Sequence, residues 1–338
     1  MKHEHGSAGF EAQPERYQKI EKLNHESFLM HEPSPLRVVQ SLHSVGAPRD
    51  VITDGYNDEY PSDVVEQAKA IGRHIVVGNV SPLNGYGPRD MSGEEKVADA
   101  QHNIHEFLAR NNVDPSTVRM LRPERDYTTP LRAVNVDEDN LQPDDTGLLR
   151  PDTAGDFLYT YNKDNVLAAR PADCPIVFLS AETPKGDMTV LLHLAWQGVA
   201  HGYIAQAKSQ LDALGVDWTT LRAQITPGGH GETFKFENFN KYNPLDQFPE
   251  SSSMFTDVKA NQAADGAASY DFGIDLAAEV YEKLVETWSV DPYQLFLDTS
   301  DTTSPTVGYS SHSRSFKEYE GAGGENSRDL VMAIPSLD

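Results

Sequence analysis

Arg170-Pro171-Ala172-Asp173-Cys174-Pro175 opens into the apolar run Ile176–Leu179, and Leu191-Leu192-His193-Leu194-Ala195-Trp196-Gln197-Gly198 closes the next apolar run, Met188–Leu194. Both runs are short, and breakers bound them, which is how buried strands read. Consecutive strands are usually neighbours in space. The chain's single cysteine at the mouth of one strand and a histidine in the next are therefore expected to converge. A thiol beside an imidazole makes either a nucleophilic dyad or half of a zinc site. The bland alternatives are a buried, inert thiol and a structural core histidine. Asp173 opposes ionisation of the neighbouring thiol unless its carboxylate turns away to the backbone.

Outward from this pair the pattern is mixed. His74–Val77, Val118–Leu121, Leu131–Val136, Val166–Ala169, Leu221–Ile225 and Leu330–Ile334 read as further strands. Ser92-Gly93-Glu94-Glu95 has capping-box spacing and starts a helix carrying Val97, Ile104, Phe107 and Leu108. Val199, Tyr203, Ile204, Ala207, Leu211 and Leu214 form a helical stripe that Gly215 is placed to end, and Leu276, Val280, Leu284 and Trp288 form another. There is no clean strand–helix alternation, no internal repeat and no glycine-rich nucleotide fingerprint. The expected class is α/β in an α+β-like layered sandwich, with mixed sheets flanked by helices. Residues 1–35 read as a loosely held polar extension with a short helix near Tyr17–Leu23. Residues 36–338 read as one domain, with a polar, lid-like insertion at about 238–268. The Asp-rich stretch Asp137–Asp156 lacks a calcium-loop pattern and reads as a solvated loop.

Of 338 residues, 52 are acidic and 28 basic, for a formal charge of -24. That charge repels phosphate backbones and anionic lipid, so neither nucleic acid nor membrane is an expected partner. A small anionic substrate stays possible, because one arginine pocket acts locally. No apolar stretch approaches the length of a membrane helix, and Met1-Lys2-His3-Glu4-His5-Gly6 leads into no signal-peptide core. One cysteine suits a reducing compartment, and the expected location is the cytoplasm.

The cysteine and histidine blocks resemble the paired Ala-Asp-Cys-x-Pro and His-Ala-Gly-Trp-Arg-Gly signatures of the laccase-domain family. That family has been described as multicopper polyphenol oxidoreductases, purine nucleoside phosphorylases and peptidoglycan editing factors. Thr226-Pro227-Gly228-Gly229-His230-Gly231, Tyr309-Ser310-Ser311-His312-Ser313-Arg314 and Asn326-Ser327-Arg328 are similar to later family blocks, in the family's order. The likeness runs from about His74 to Pro335 and implies the family's cysteine-hydrolase-like fold. It also implies a zinc site of one cysteine and two histidines, which falls here on Cys174, His193 and, at the position of the second histidine, Glu124. The arginine of Trp-Arg-Gly is replaced by Gln197, and the family's Asn-Arg pair falls near Ala100-Gln101. Arg314, Arg328 and His230 are the expected substrate-binding residues, His230 also being a possible replacement ligand. The implied activity is zinc-dependent phosphorolysis or deamination of purine nucleosides, on a small nucleoside-like substrate. The alternatives are a metal-free Cys–His hydrolase or deamidase, by likeness to the cytotoxic necrotizing factor catalytic domain, and a non-catalytic ligand-binding member. An ordinary multicopper oxidase is not expected, since the chain lacks the several His-x-His clusters such sites need.

Overall fold

The computed structural model describes residues 13–30, 36–42, 74–77, 101–102, 104–109, 111–124, 126–144, 146–239, 241–262, 268–299, 301–303 and 330–335. Two large sheets pack face to face, and the alternation of side-chain partners along their strands shows how. The first contains, in spatial order, β2 (His74–Val77), β1 (Leu36–Leu42), β16 (Val331–Pro335), β8 (Val166–Ala169), β3 (Val118–Met120), β6 (Leu149–Pro151) and β5 (Leu141–Pro143). The second contains β15 (Leu295–Leu297), β11 (Arg222–Ile225), β9 (Ile176–Thr183), β10 (Gly186–His193), β7 (Phe157–Thr160) and β4 (Ala133–Asn135). Both are mixed, with parallel and antiparallel neighbours.

Successive side chains on a strand point to opposite faces. On β8, Leu167 and Ala169 join Ile176, Phe178 and Leu191 of the other sheet in the layer between the sheets. Val166 and Ala168 turn the other way, onto Ile104, Phe107 and Leu108 of helix α2 (104–109). On β9, Val177, Leu179 and Ala181 face a third apolar layer under α3 (Trp196–Ala200), α4 (Tyr203–Leu214) and α5 (Leu276–Trp288). The molecule is thus layered helix, sheet, sheet, helix. Central strands are covered on both faces, which is why β8 and β9 read as continuous apolar runs. The α4 helix ends at Gly215, whose φ of 78° is a left-handed cap.

Two segments differ from the sequence reading. Helix α1 (Gln13–Met30) lies in the polar extension, yet Tyr17 and Ile20 are buried in the helix-side core. Arg16 bonds Asp275, Glu279 and Glu282, while Asn24 exchanges both amide hydrogen bonds with the backbone of Leu297 on β15. This part of the extension is firmly docked rather than loosely held. The polar insertion is not a plain loop either: it holds β13 (Phe255–Gln262), one strand of a third sheet completed by β12 (Lys235–Phe239) and β14 (Ala268–Ile274) at its two ends, in the order β12, β14, β13. Phe236, Phe239, Phe255 and Phe272 pack there, three of them edge-on to Trp196. Spaced aromatics of this kind build a small core with little aliphatic sequence.

Candidate functional site

The register of three adjacent strands assembles the site. His193 is the last residue of β10 and lies opposite Ile176, the first residue of β9. Beyond that pair the backbone N–H of Leu194 donates to the Pro175 carbonyl, which brings Cys174 beside His193. On the other side Leu192 pairs with Phe157 of β7, and the His193 N–H donates to the Asp156 carbonyl. Cys174, His193 and Asp156 therefore come from one end of three neighbouring strands.

Their side chains connect. His193 Nδ1 lies 2.7 Å from Asp156 Oδ1, and the half-buried Cys174 is near enough to the same imidazole to influence its proton affinity. Burial works to lower the His193 pKa, but the hydrogen bond to Asp156 and then the neighbouring Cys174 outweigh it and raise it to about 10. The ring is accordingly an imidazolium at neutral pH, with Nδ1–H donating to Asp156. A sulfur beside an imidazole that an orienting carboxylate holds by a hydrogen bond has the parts of an activated nucleophile.

The turn before β9 is held by strain. Asp173 has φ 67°, a left-handed conformation uncommon for a residue with a side chain. Its carbonyl accepts the Gly229 N–H at 2.9 Å, and its carboxylate accepts the Thr302 hydroxyl at 3.1 Å. The carboxylate is thus engaged by the Thr302 hydroxyl, where the sequence reading had expected a backbone partner. Gly228 presses close here: a Cβ on it would sit 3.1 Å from Pro175 and 3.4 Å from the Asp173 carbonyl.

Of the residues expected to form the site, Cys174 and His193 are brought together. Glu124, just beyond β3, lies instead on the wall of a cleft that it shares with Asp156, and the Asp126 N–H donates to it at 3.2 Å. His230 sits in the loop that anchors Asp173, but its ring stacks on Tyr17 of α1, centroids 3.9 Å apart. Burial lowers its pKa, and its Nε2 is buried without a partner. Among the described residues no three His, Cys, Asp or Glu side chains gather closely enough to hold a metal ion. Arg314 and Arg328 lie outside the described residues.

Asp156 was missed by the sequence reading, which placed it at the end of a solvated Asp-rich loop. It is 1% exposed. The usable signal was its position directly before Phe157-Leu158-Tyr159-Thr160, a strand-like run that seats it inside the fold.

The family profile for multi-copper polyphenol oxidoreductase laccase matches residues 91–323. The chain belongs to that family. Among solved structures, it is similar to a hypothetical protein YfiH of Bacillus licheniformis, at 17% identity and a TM-score of 0.53, over 75% of this chain and 86% of that one. It also matches protein NMB0706 of Neisseria meningitidis, at 17% identity and a TM-score of 0.48, over 75% and 87%. At 17% identity the likeness to the first of these, with its TM-score above 0.5, concerns the fold. No curated protein matches the chain.

Proposed function

We propose that this chain is a cysteine-dependent hydrolase or deamidase acting on a small polar molecule. The observation that carries the reading is the Asp156–His193 hydrogen bond with Cys174 held beside the same imidazole. In this reading the Cys174 thiolate attacks a carbonyl or amide carbon, forming a C–S bond. His193 gives its proton to the departing amine as the C–N bond breaks. It then takes a proton from the water that hydrolyses the thioester, which releases the acid and restores the thiolate. Asp156 keeps the ring oriented and supports its positive charge. No helix among the described residues is long and apolar enough to cross a membrane. We place the protein in the cytoplasm, on its single cysteine, with a small-molecule substrate and neither nucleic acid nor membrane as partner.

A second reading, zinc-dependent phosphorolysis or deamination of purine nucleosides, has one observation in its favour: proteins also orient metal-ligating histidines with a carboxylate. In that reading Cys174 and His193 are ligands. A catalytic zinc takes three protein ligands, and the blue-copper site takes one cysteine and two histidines. The described residues supply two donors at this place, so the set does not fit either metal as it stands.

Timed labelling with iodoacetamide at pH 7 separates the readings. Fast modification confined to Cys174, unchanged after chelator treatment, is expected. Asp156→Asn should slow it by about tenfold or more, since the imidazolium loses its supporting charge. A thiol no faster than free cysteine overturns the hydrolase reading. Stoichiometric zinc in the purified protein, with labelling that changes on its removal, establishes the second.

A further inference from the structure

Helix α1 reaches the turn that carries the thiol through a single loop. Its Tyr17 ring lies flat on His230, with centroids 3.9 Å apart and planes 14° apart. The Tyr17 hydroxyl donates to Asp275 Oδ1 at 2.5 Å. One position before His230, Gly229 is bonded on both sides. Its N–H donates to the Asp173 carbonyl at 2.9 Å, and its carbonyl accepts the N–H of Leu276, the residue after Asp275, at 3.1 Å. A continuous run of contacts and covalent bonds therefore leads from Tyr17 to Cys174.

The far end of that run needs support. Asp173 is 3% exposed, and its left-handed backbone persists only where the surroundings over-determine it. The loop supplies this support with little slack, since a Cβ on Gly228 would meet Pro175 at 3.1 Å and Ala277 at 3.2 Å. On the loop's other side the Thr302 N–H donates to the Gly228 carbonyl, and the His230 N–H donates to Asp301. The choice of His230 is informative as well. Its Nε2 is buried with no hydrogen-bond partner, which costs stability, so the position is not optimised for stability. What the loop takes from the ring is its flat face against Tyr17.

We propose that Tyr17 and His230 are positioning residues for Cys174: the stack of α1 on this loop fixes the Asp173 turn and so keeps the thiol beside His193. The inference rests on the reading of Cys174 as a nucleophile, and it makes the amino-terminal helix part of the active centre.

Iodoacetamide labelling of Cys174 and hydrogen exchange at the Gly229 amide, both on the full chain, test it. Tyr17→Leu removes the ring, whereas Tyr17→Phe keeps it and loses only the bond to Asp275, which retains Arg16. Labelling of Tyr17→Leu is expected to slow about tenfold, with Tyr17→Phe restoring most of the rate, a usual size for coupling between separate places. The Gly229 amide should exchange about tenfold faster in Tyr17→Leu, while mid-strand amides of β9 and β10 stay protected. His230→Ala should repeat both changes. Unchanged labelling in Tyr17→Leu, or equal losses in Tyr17→Leu and Tyr17→Phe, overturns the assignment. So does faster exchange spread evenly over β9 and β10, which is general loosening. If Tyr17→Leu does not fold, His230→Ala against His230→Phe makes the same comparison of ring absent with ring present. A slow wild-type thiol together with a Gly229 amide that responds to loss of the ring removes the thiol relay alone. A fast wild-type thiol indifferent to the ring removes the positioning role alone.

Discussion

His193 carries its charge at a cost in desolvation that two partners more than offset, and that balance has a pH signature. Its folded pKa of about 10 stands above the ordinary imidazole value of 6.5. A raised pKa means that the folded state holds the proton more tightly, so the resulting stability is complete below about pH 6.5. It is lost as pH rises from there through 10. Melting temperatures of the wild type and His193→Gln should therefore differ most near pH 6 and converge towards pH 10; a constant gap would exclude the charged ring. Cys174 and His193 were legible because one stands at the mouth of a short apolar run and the other inside the next, where a polar atom needs a reason to be present. Asp156 was not, because a carboxylate among other aspartates carries no mark of burial. Only the pairing of Leu192 with Phe157 shows that the residue before the strand faces the imidazole.

Helix α1 shows the same contrast between local pattern and distant partner. Tyr17, Ile20 and Leu23 have near-helical spacing, which made a short helix readable from the sequence. Their surroundings were unreadable, since the bonding partners of Arg16 and Tyr17 lie more than 250 positions away, in Asp275, Glu279 and Glu282. Asp275 and Glu279 are almost fully buried, with side-chain exposures of 0% and 2%. Removing a cation from buried carboxylates leaves uncompensated charge, so Arg16→Ala should cost about 3–5 kcal/mol, read as a shift in the urea midpoint. Glu282, 46% exposed, should contribute little to that loss. The insertion at 238–268 was misread for a related reason. Its phenylalanines are separated by polar residues and find their partners only when β13 and β14 close on β12 and Trp196.

Across the whole molecule, the helix-side core runs from Tyr17 of α1 to Leu297 of β15 and takes in Phe255, Phe272 and Ile274 of the third sheet. One continuous core of that span should melt in a single cooperative step, with calorimetric and van't Hoff enthalpies equal; two resolved steps would divide it. With a formal charge of -24, self-repulsion opposes folding, and the melting temperature should climb as salt is raised from near zero to physiological strength. The layered class was legible because buried strands and amphipathic helices leave periodic marks, whereas strand order, set by contacts far apart in sequence, was not. The paired bonds between Asn24 and Leu297 have one more effect. They engage the outermost strand of the six-stranded sheet with a side-chain amide that imitates a neighbouring backbone. Preparations trimmed at the amino end by proteases would lose that plug, and would tend to cloud and clump through ribbon-to-ribbon association while the thiol itself stayed intact.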